Sequence, residues 1–167
     1  MPLIQQNFQT LLSEVKRAYP GLIFVQGTDF AWSASINTIT YAPKAPQGAL
    51  LLLHELAHTE LHHDDYTMDI DLLRQEAQAW QYARTILAER FKVAVGEDFV
   101  QDCLDTYRDW LHKRSLCPGC SQVGLQTKKN NYSCINCSYS WRTNDARQCS
   151  LRRFRLQAQD RSSSPER

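Results

Sequence analysis

The sequence predicts an α+β protein: a mostly helical domain with a small antiparallel sheet, then a small β unit built around cysteines. Three observations carry this. Apolar residues recur at helical spacing over most of residues 1–114, broken between Leu22 and Tyr41 by short β-branched and aromatic runs. Composition shifts at Ser115, where the charge balance changes sign: residues 1–114 hold 10 Lys/Arg against 15 Asp/Glu, residues 115–167 hold 9 against 3. Four of the six cysteines fall in two CxxC pairs inside that second segment. With 167 residues, 43% of them apolar, the chain can form one core and an appendage, and a wholly disordered chain is excluded. The longest apolar run, Ala49 to Leu53, is too short to cross a bilayer, and the N-terminal segment lacks the apolar stretch of a secretory signal. The expected setting is cytoplasmic, with no membrane partner.

The elements follow in order. From about Ile4 to Ala18, Phe8, Leu11, Leu12, Val15 and Ala18 share one helix face, and Pro20-Gly21 ends it. Leu22–Val25, Phe30–Ser35 and Thr38–Tyr41 read as strands of one antiparallel sheet. Pro43 and Pro46 lead into a helix over about Gln47–His63, whose early ALLLL is apolar all round and therefore buried; Asp64-Asp65 breaks it. A helix over about Asp69–Phe91 carries Leu72, Leu73, Ala77, Trp80, Ala83, Ile86 and Leu87 at helical spacing. After Gly96, Phe99, Cys103, Leu104, Tyr107, Trp110 and Leu111 make another. Residues 144–167, rich in Arg, Gln and Ser, are expected as a basic flexible tail. The domains are thus 1–114, 115–143 and the tail.

The buried helix contains His54-Glu55-Leu56-Ala57-His58, an HExxH. Residues four apart project from one helix face, so His54 and His58 can grip one ion. Glu55 sits about 100° round the helix, beside the ion and able to take a proton from water as general base. A catalytic zinc needs a third protein ligand. His62, His63, Asp64, Asp65, Asp69, Asp71 and Glu76 are the downstream candidates. Glu76 fits best. If the next helix returns antiparallel from about Asp69, Glu76 lies about 10 Å along it, nearly level with His58, about 7–8 Å from its own helix end. Leu72, Leu73, Ala77 and Trp80 around Glu76 place a carboxylate on an inward face, where it wants a cation. His62, His63, Tyr66 and Tyr82 are candidates for stabilising an oxyanion.

HELAH, then Leu61-His62, then Glu76-Ala77-x-x-Trp80 within a helix resembles the ImmA/IrrE-type metallopeptidases and related minimal gluzincins. Ala57 stands where that family usually has Gly. The resemblance covers roughly residues 1–112 in element order and implies a zincin-like domain that hydrolyses peptide bonds in a specific intracellular protein. It implies His54, His58 and Glu76 as ligands of a catalytic Zn2+ and Glu55 as the base.

Cys117-Pro-Gly-Cys120 and Cys134-Ile-Asn-Cys137, thirteen residues apart, read as a zinc ribbon holding one structural Zn2+. Tyr132, Tyr139 and Trp141 alternate as in a strand. Lys128-Lys129, Arg142, Arg147 and Arg152-Arg153-Phe154-Arg155 make this unit basic, suited to phosphate contact or to protein docking. The expected function is a zinc metallopeptidase whose ribbon recruits protein substrate or nucleic acid. Two alternatives stand beside it. One is a SprT-like protease acting on DNA-bound proteins, which would need a third histidine. The other is a non-cleaving, metal-stabilised regulatory module, against which the intact Glu55 argues.

Overall fold

The computed structural model describes residues 7–145 and 150–156. The helical start expected at 4–6, Arg147, Cys149 and the stretch from 157 onward lie outside the described residues. The chain forms two compact units, one from residues up to 65 with 74–104, the other from 66–73 with 105 onward. The division therefore falls near 105 instead of 115 and takes in a short stretch from much earlier in the chain.

In the first unit α1 (Phe8–Ala18) begins at Asn7, whose side chain accepts the Gln9 amide, and buries Leu11, Leu12 and Val15. Strands β1 (Ile23–Gln26), β2 (Ala31–Ser33) and β3 (Thr38–Tyr41) form a sheet in the order β1-β3-β2. β2 pairs antiparallel with β3, as expected, but β1 pairs parallel with β3. Two chain reversals separate β1 from β3, so a β1 that pairs with β3 must run the same way. Left-handed Asn37 makes the second reversal, and its amide donates to the Gly21 carbonyl at 2.6 Å.

Helix α2 (Gly48–Glu60) is buried nearly all round, with Leu52, Leu53, Leu56 and Ala57 fully enclosed. The single helix expected over 69–91 is α3 (Asp69–Tyr82), a π-helical turn (Ala83–Leu87) and α4 (Ala88–Phe91), which left-handed Lys92 ends. Ala79, Ala83, Leu87 and Phe91 join α1, α2 and Ile39 of β3 in the main core. Ala77, expected inward, is exposed, and so is Ile86 of the same apolar series. Ala77 lies about 100° past Glu76 on the helix wheel, and the i→i+5 bonding of the π turn slips the helical spacing around Ile86. Helix α5 (Glu97–Ser115) contributes Val100 and Leu104 to a second apolar cluster with Leu50 and Trp80. Among the described residues no helix is long and apolar enough to cross a membrane.

In the second unit β4 (Leu125–Lys128), β5 (Asn131–Ser133), β6 (Ser140–Thr143) and β7 (Arg153–Arg155) form one antiparallel sheet in chain order. Strand β7 corrects the expectation of a flexible tail from 144: Arg153-Phe154-Arg155 pair with β6. Trp141 is fully buried and stacks on Tyr132, ring centroids 5.5 Å apart. A side chain at Gly124 would collide with the Trp141 ring, so this close approach requires glycine.

The polar interior of this unit centres on Arg114, which is fully buried. Its Nε donates to Asp69 Oδ2 at 2.7 Å, its Nη1 to the Asn144 carbonyl at 2.6 Å and its Nη2 to Asn130 Oδ1 at 2.5 Å. The Tyr132 hydroxyl and Gln126 Nε2 also donate to Asp69. Trp141 Nε1 donates to the Arg114 carbonyl at 3.1 Å. The guanidinium lies 4.3 Å from the centroid of the Trp110 ring.

Candidate metal centres

Two groups of side chains among the described residues could hold a metal ion: His54, His58 and Glu76, and the four cysteines Cys117, Cys120, Cys134 and Cys137. In the first, His54 and His58 come from one face of α2 and Glu76 from α3. His54 Nε2 lies 3.0 Å from Glu76 Oε2 and 3.1 Å from His58 Nε2, which is 3.6 Å from Glu76 Oε1. Ligands at about 2.0–2.1 Å from a tetrahedral ion stand about 3.3 Å from one another, so the three atoms have the spacing of one coordination sphere. All three residues are buried.

The electrostatics favour a carboxylate here. Burial by itself would push the Glu76 carboxyl up, but hydrogen bonds from His54 and His58 outweigh it and hold Glu76 well below the usual carboxylate range. Burial pulls the His58 imidazole down, yet the Glu76 hydrogen bond and the charges of Glu76 and Glu55 raise it above its ordinary value. Glu55 is half-buried on the neighbouring face of α2, near enough for its charge to act on His58.

Comparison with protein-family models, with curated proteins and with solved structures finds no match to this chain.

Two features of this centre were not drawn from the sequence. The Trp80 indole stacks on the His54 imidazole, centroids 4.2 Å apart and planes 19° apart. Its signal was the i, i+4 spacing from Glu76, which puts both on one face of α3. The outer nitrogen of His54, Nδ1, and Trp80 Nε1 are buried without a hydrogen-bond partner among the described residues. The second feature is the end of α2. The His62 amide donates to the Thr59 carbonyl and the His63 amide to the His58 carbonyl, with His62 left-handed at φ 54°. This is a Schellman ending. It folds the His63 ring back so that its Nδ1 lies 3.0 Å from His58 Nδ1. The His63 carbonyl also accepts Trp32 Nε1 at 3.0 Å.

The other candidates sort themselves by position. His62 is exposed at the left-handed residue. His63 and Tyr82 line one open groove of about 520 Å³ with Leu61, Ala77 and Gln78. Asp69, weighed as a third ligand, instead pairs with Arg114 in the second unit, to which Tyr66 and Asp71 also belong. Asp64 and Asp65 are exposed.

In the second group the sulfurs of Cys117 and Cys137, and of Cys120 and Cys134, are 3.5 Å apart. That is far beyond the about 2.05 Å of a disulfide and near the about 3.8 Å expected between thiolates on one zinc-sized tetrahedral ion. The two CxxC turns repeat one conformation. The Ser121 amide donates to the Cys117 carbonyl and the Ser138 amide to the Cys134 carbonyl, each at 2.9 Å, with both serines left-handed. Asn136 and a backbone hydrogen bond pull the Cys120 thiol down to about 6. The Tyr139 backbone lowers Cys137, but desolvation and the other three sulfurs push it up to about 12.

Proposed function

We propose that the chain is a zinc metallopeptidase cleaving a specific intracellular protein, with the four cysteines holding a structural zinc in a ribbon that recruits partners. The observation that carries this reading is the meeting of His54 Nε2, His58 Nε2 and the Glu76 carboxylate within 3.0–3.6 Å, with Glu55 on the adjoining helix face. A Zn2+ held there would supply Lewis acidity, acidifying water and polarising a carbonyl. Glu55 takes the proton of the attacking water and returns it to the leaving amine nitrogen. The HELAH and Glu76-Ala77-x-x-Trp80 resemblance to ImmA/IrrE-type peptidases supports the same residue roles. A carboxylate as third ligand favours it over the SprT-like alternative, which needs a third histidine. The ribbon cysteines leave no open position for substrate, which suits a structural role.

A second reading is favoured by one specific observation. The ligand side chains are 5%, 10% and 7% exposed, with Trp80 packed against His54, as a closed stabilising site would be. On that reading the centre holds metal without cleaving.

Glu55→Gln separates the two. The zinc-loaded wild type is expected to cleave a protein captured by Glu55→Gln from the source cytoplasm, while the variant keeps about two zinc per chain and cuts nothing. His54→Ala is expected to drop the zinc content to about one. A Glu55→Gln protein that supports the cellular function in full establishes the non-cleaving module instead.

A further inference from the structure

The peptidase reading leaves the Arg-rich run after Asn144 unexplained, and the fold gives that run a fixed shape. Strand β7 is the outer strand of the ribbon sheet, with Arg142 of β6 opposite Phe154. The Arg142 guanidinium carbon lies 5.5 Å from the Phe154 ring centroid, and Phe154 is 45% exposed. Arg155, across from Trp141, places its guanidinium 5.2 Å from the Tyr139 ring. Two planar cation–ring pairs therefore flank the β6–β7 edge, one on each side of the strand.

We propose that the exposed β7 edge of this sheet binds single-stranded nucleic acid, which passes over the edge from the Arg142–Phe154 pair on one face to the Arg155–Tyr139 pair on the other. Charge complementarity is the first argument. From Ser115 on, the described residues present Lys128, Lys129, Arg142, Arg152, Arg153 and Arg155, all exposed, against a single acidic side chain, Asp145, which already accepts from Asn130. The second argument is the form of the cations. Arginines held over aromatic rings offer flat faces on which unpaired bases stack, while their outer N–H groups meet phosphate oxygens. An acidic protein would need the charges but has no use for an exposed phenyl framed by guanidinium. A duplex hides its base faces, and this sheet offers no helix to enter a groove. A solvated tail would hold none of these groups in register. The surface belongs to the ribbon alone, so the proposal stands or falls apart from the peptidase reading.

The test uses the full-length, zinc-loaded chain and a fluorescein-labelled 20-mer of deoxythymidine, followed by anisotropy from 50 to 200 mM salt. Saturable binding is expected, with log affinity falling against log salt by about 0.7 per phosphate contacted. The double variant Arg142→Gln/Arg155→Gln is expected to shrink that slope by about 1.4. Phe154→Ala is expected to weaken binding about tenfold with the slope unchanged, as loss of stacking requires. Zinc content and the aromatic circular dichroism of Trp141 and Tyr132 report that the variants keep the ribbon fold. A uridine 20-mer binding at least as tightly upholds the surface and points to RNA as its source. The proposal is overturned by no saturable binding at 50 mM salt, by tighter binding of duplex, by equal binding of polyglutamate, or by folded variants that bind like the wild type.

Discussion

His58 Nδ1 and His63 Nδ1 stand 3.0 Å apart, five residues separated, because the Schellman ending of α2 turns His63 back along the helix. With His58 Nε2 directed at His54 and Glu76, its Nδ1 can donate to His63, which fixes the tautomer that leaves Nε2 free as a ligand. His63→Ala is therefore expected to weaken zinc binding at this centre by about 10- to 100-fold. Chelator competition measures this, with the ribbon zinc as internal standard. An unchanged affinity would show that the two rings merely touch.

His62 carries the backbone cost of that ending. A non-glycine residue at φ 54° pays a left-handed penalty of about 1–2 kcal/mol, partly offset on substitution by the freedom glycine adds to the unfolded chain. His62→Gly is expected to raise stability by about 0.5 kcal/mol and to leave zinc affinity intact. Thermal melts of the zinc-loaded protein read the gain. If peptide cleavage also survives, His62 is removed from the candidates for oxyanion stabilisation.

Glu76 and His58 set a pH window for the metal-free form. The Glu76 carboxyl lies below its ordinary 4.5 when folded, so its contribution is present above pH 4.5 and fades as pH falls through the lowered value. The His58 imidazole lies above its ordinary 6.5, so its contribution is full below pH 6.5 and fades as pH rises through the raised value. Both act together between about pH 4.5 and 6.5. Melts of chelator-treated wild type and Glu76→Gln across pH 4–8 should differ most in that window. A difference that does not vary with pH would remove the His58–Glu76 ion pair from the account. With zinc bound the low end reverses, because protons compete with the metal for His58, whose raised value puts the onset of that loss above pH 6.5.

How much of this was legible depended on distance along the chain. HELAH sits within one helix, so the facing of His54 and His58 follows from the 3.6-residue period alone. Glu76 was reachable because an apolar face around a carboxylate is a signal in itself. The CxxC turns are local and needed no tertiary knowledge. The parallel pairing of β1 with β3 was not legible, because periodicity gives strands but not their partners. The His63 contact was hidden by a left-handed histidine where glycine would have announced the helix end. Strand β7 was masked by its composition: Arg-Phe-Arg reads as solvated until its partner Thr143-Arg142-Trp141 is known.

Asp69 and Arg114 meet across 45 residues, and the sequence offers Asp69 only as one of several candidate metal ligands and Arg114 only as a basic residue near a helix end. Folding removes both from water, and the guanidinium is then satisfied from several sides, by Asp69, Asn130 and the Asn144 carbonyl. A buried pair of this kind adds little over a well-packed apolar replacement, but losing one partner strands the other charge at a cost of about 3–5 kcal/mol. Arg114→Met should therefore destabilise the cysteine-bearing unit severely, and Asp69→Asn somewhat less, because an amide can still accept from the guanidinium. Denaturant melts followed through the Trp141–Tyr132 aromatic signal measure both. The double variant Arg114→Met/Asp69→Leu should recover much of the loss, since no charge then remains buried. If the double variant is instead as unstable as the sum of the single ones, Asn130, Gln126 and Tyr132 depend on the ion pair for their own hydrogen bonds, and the network is the stabilising unit.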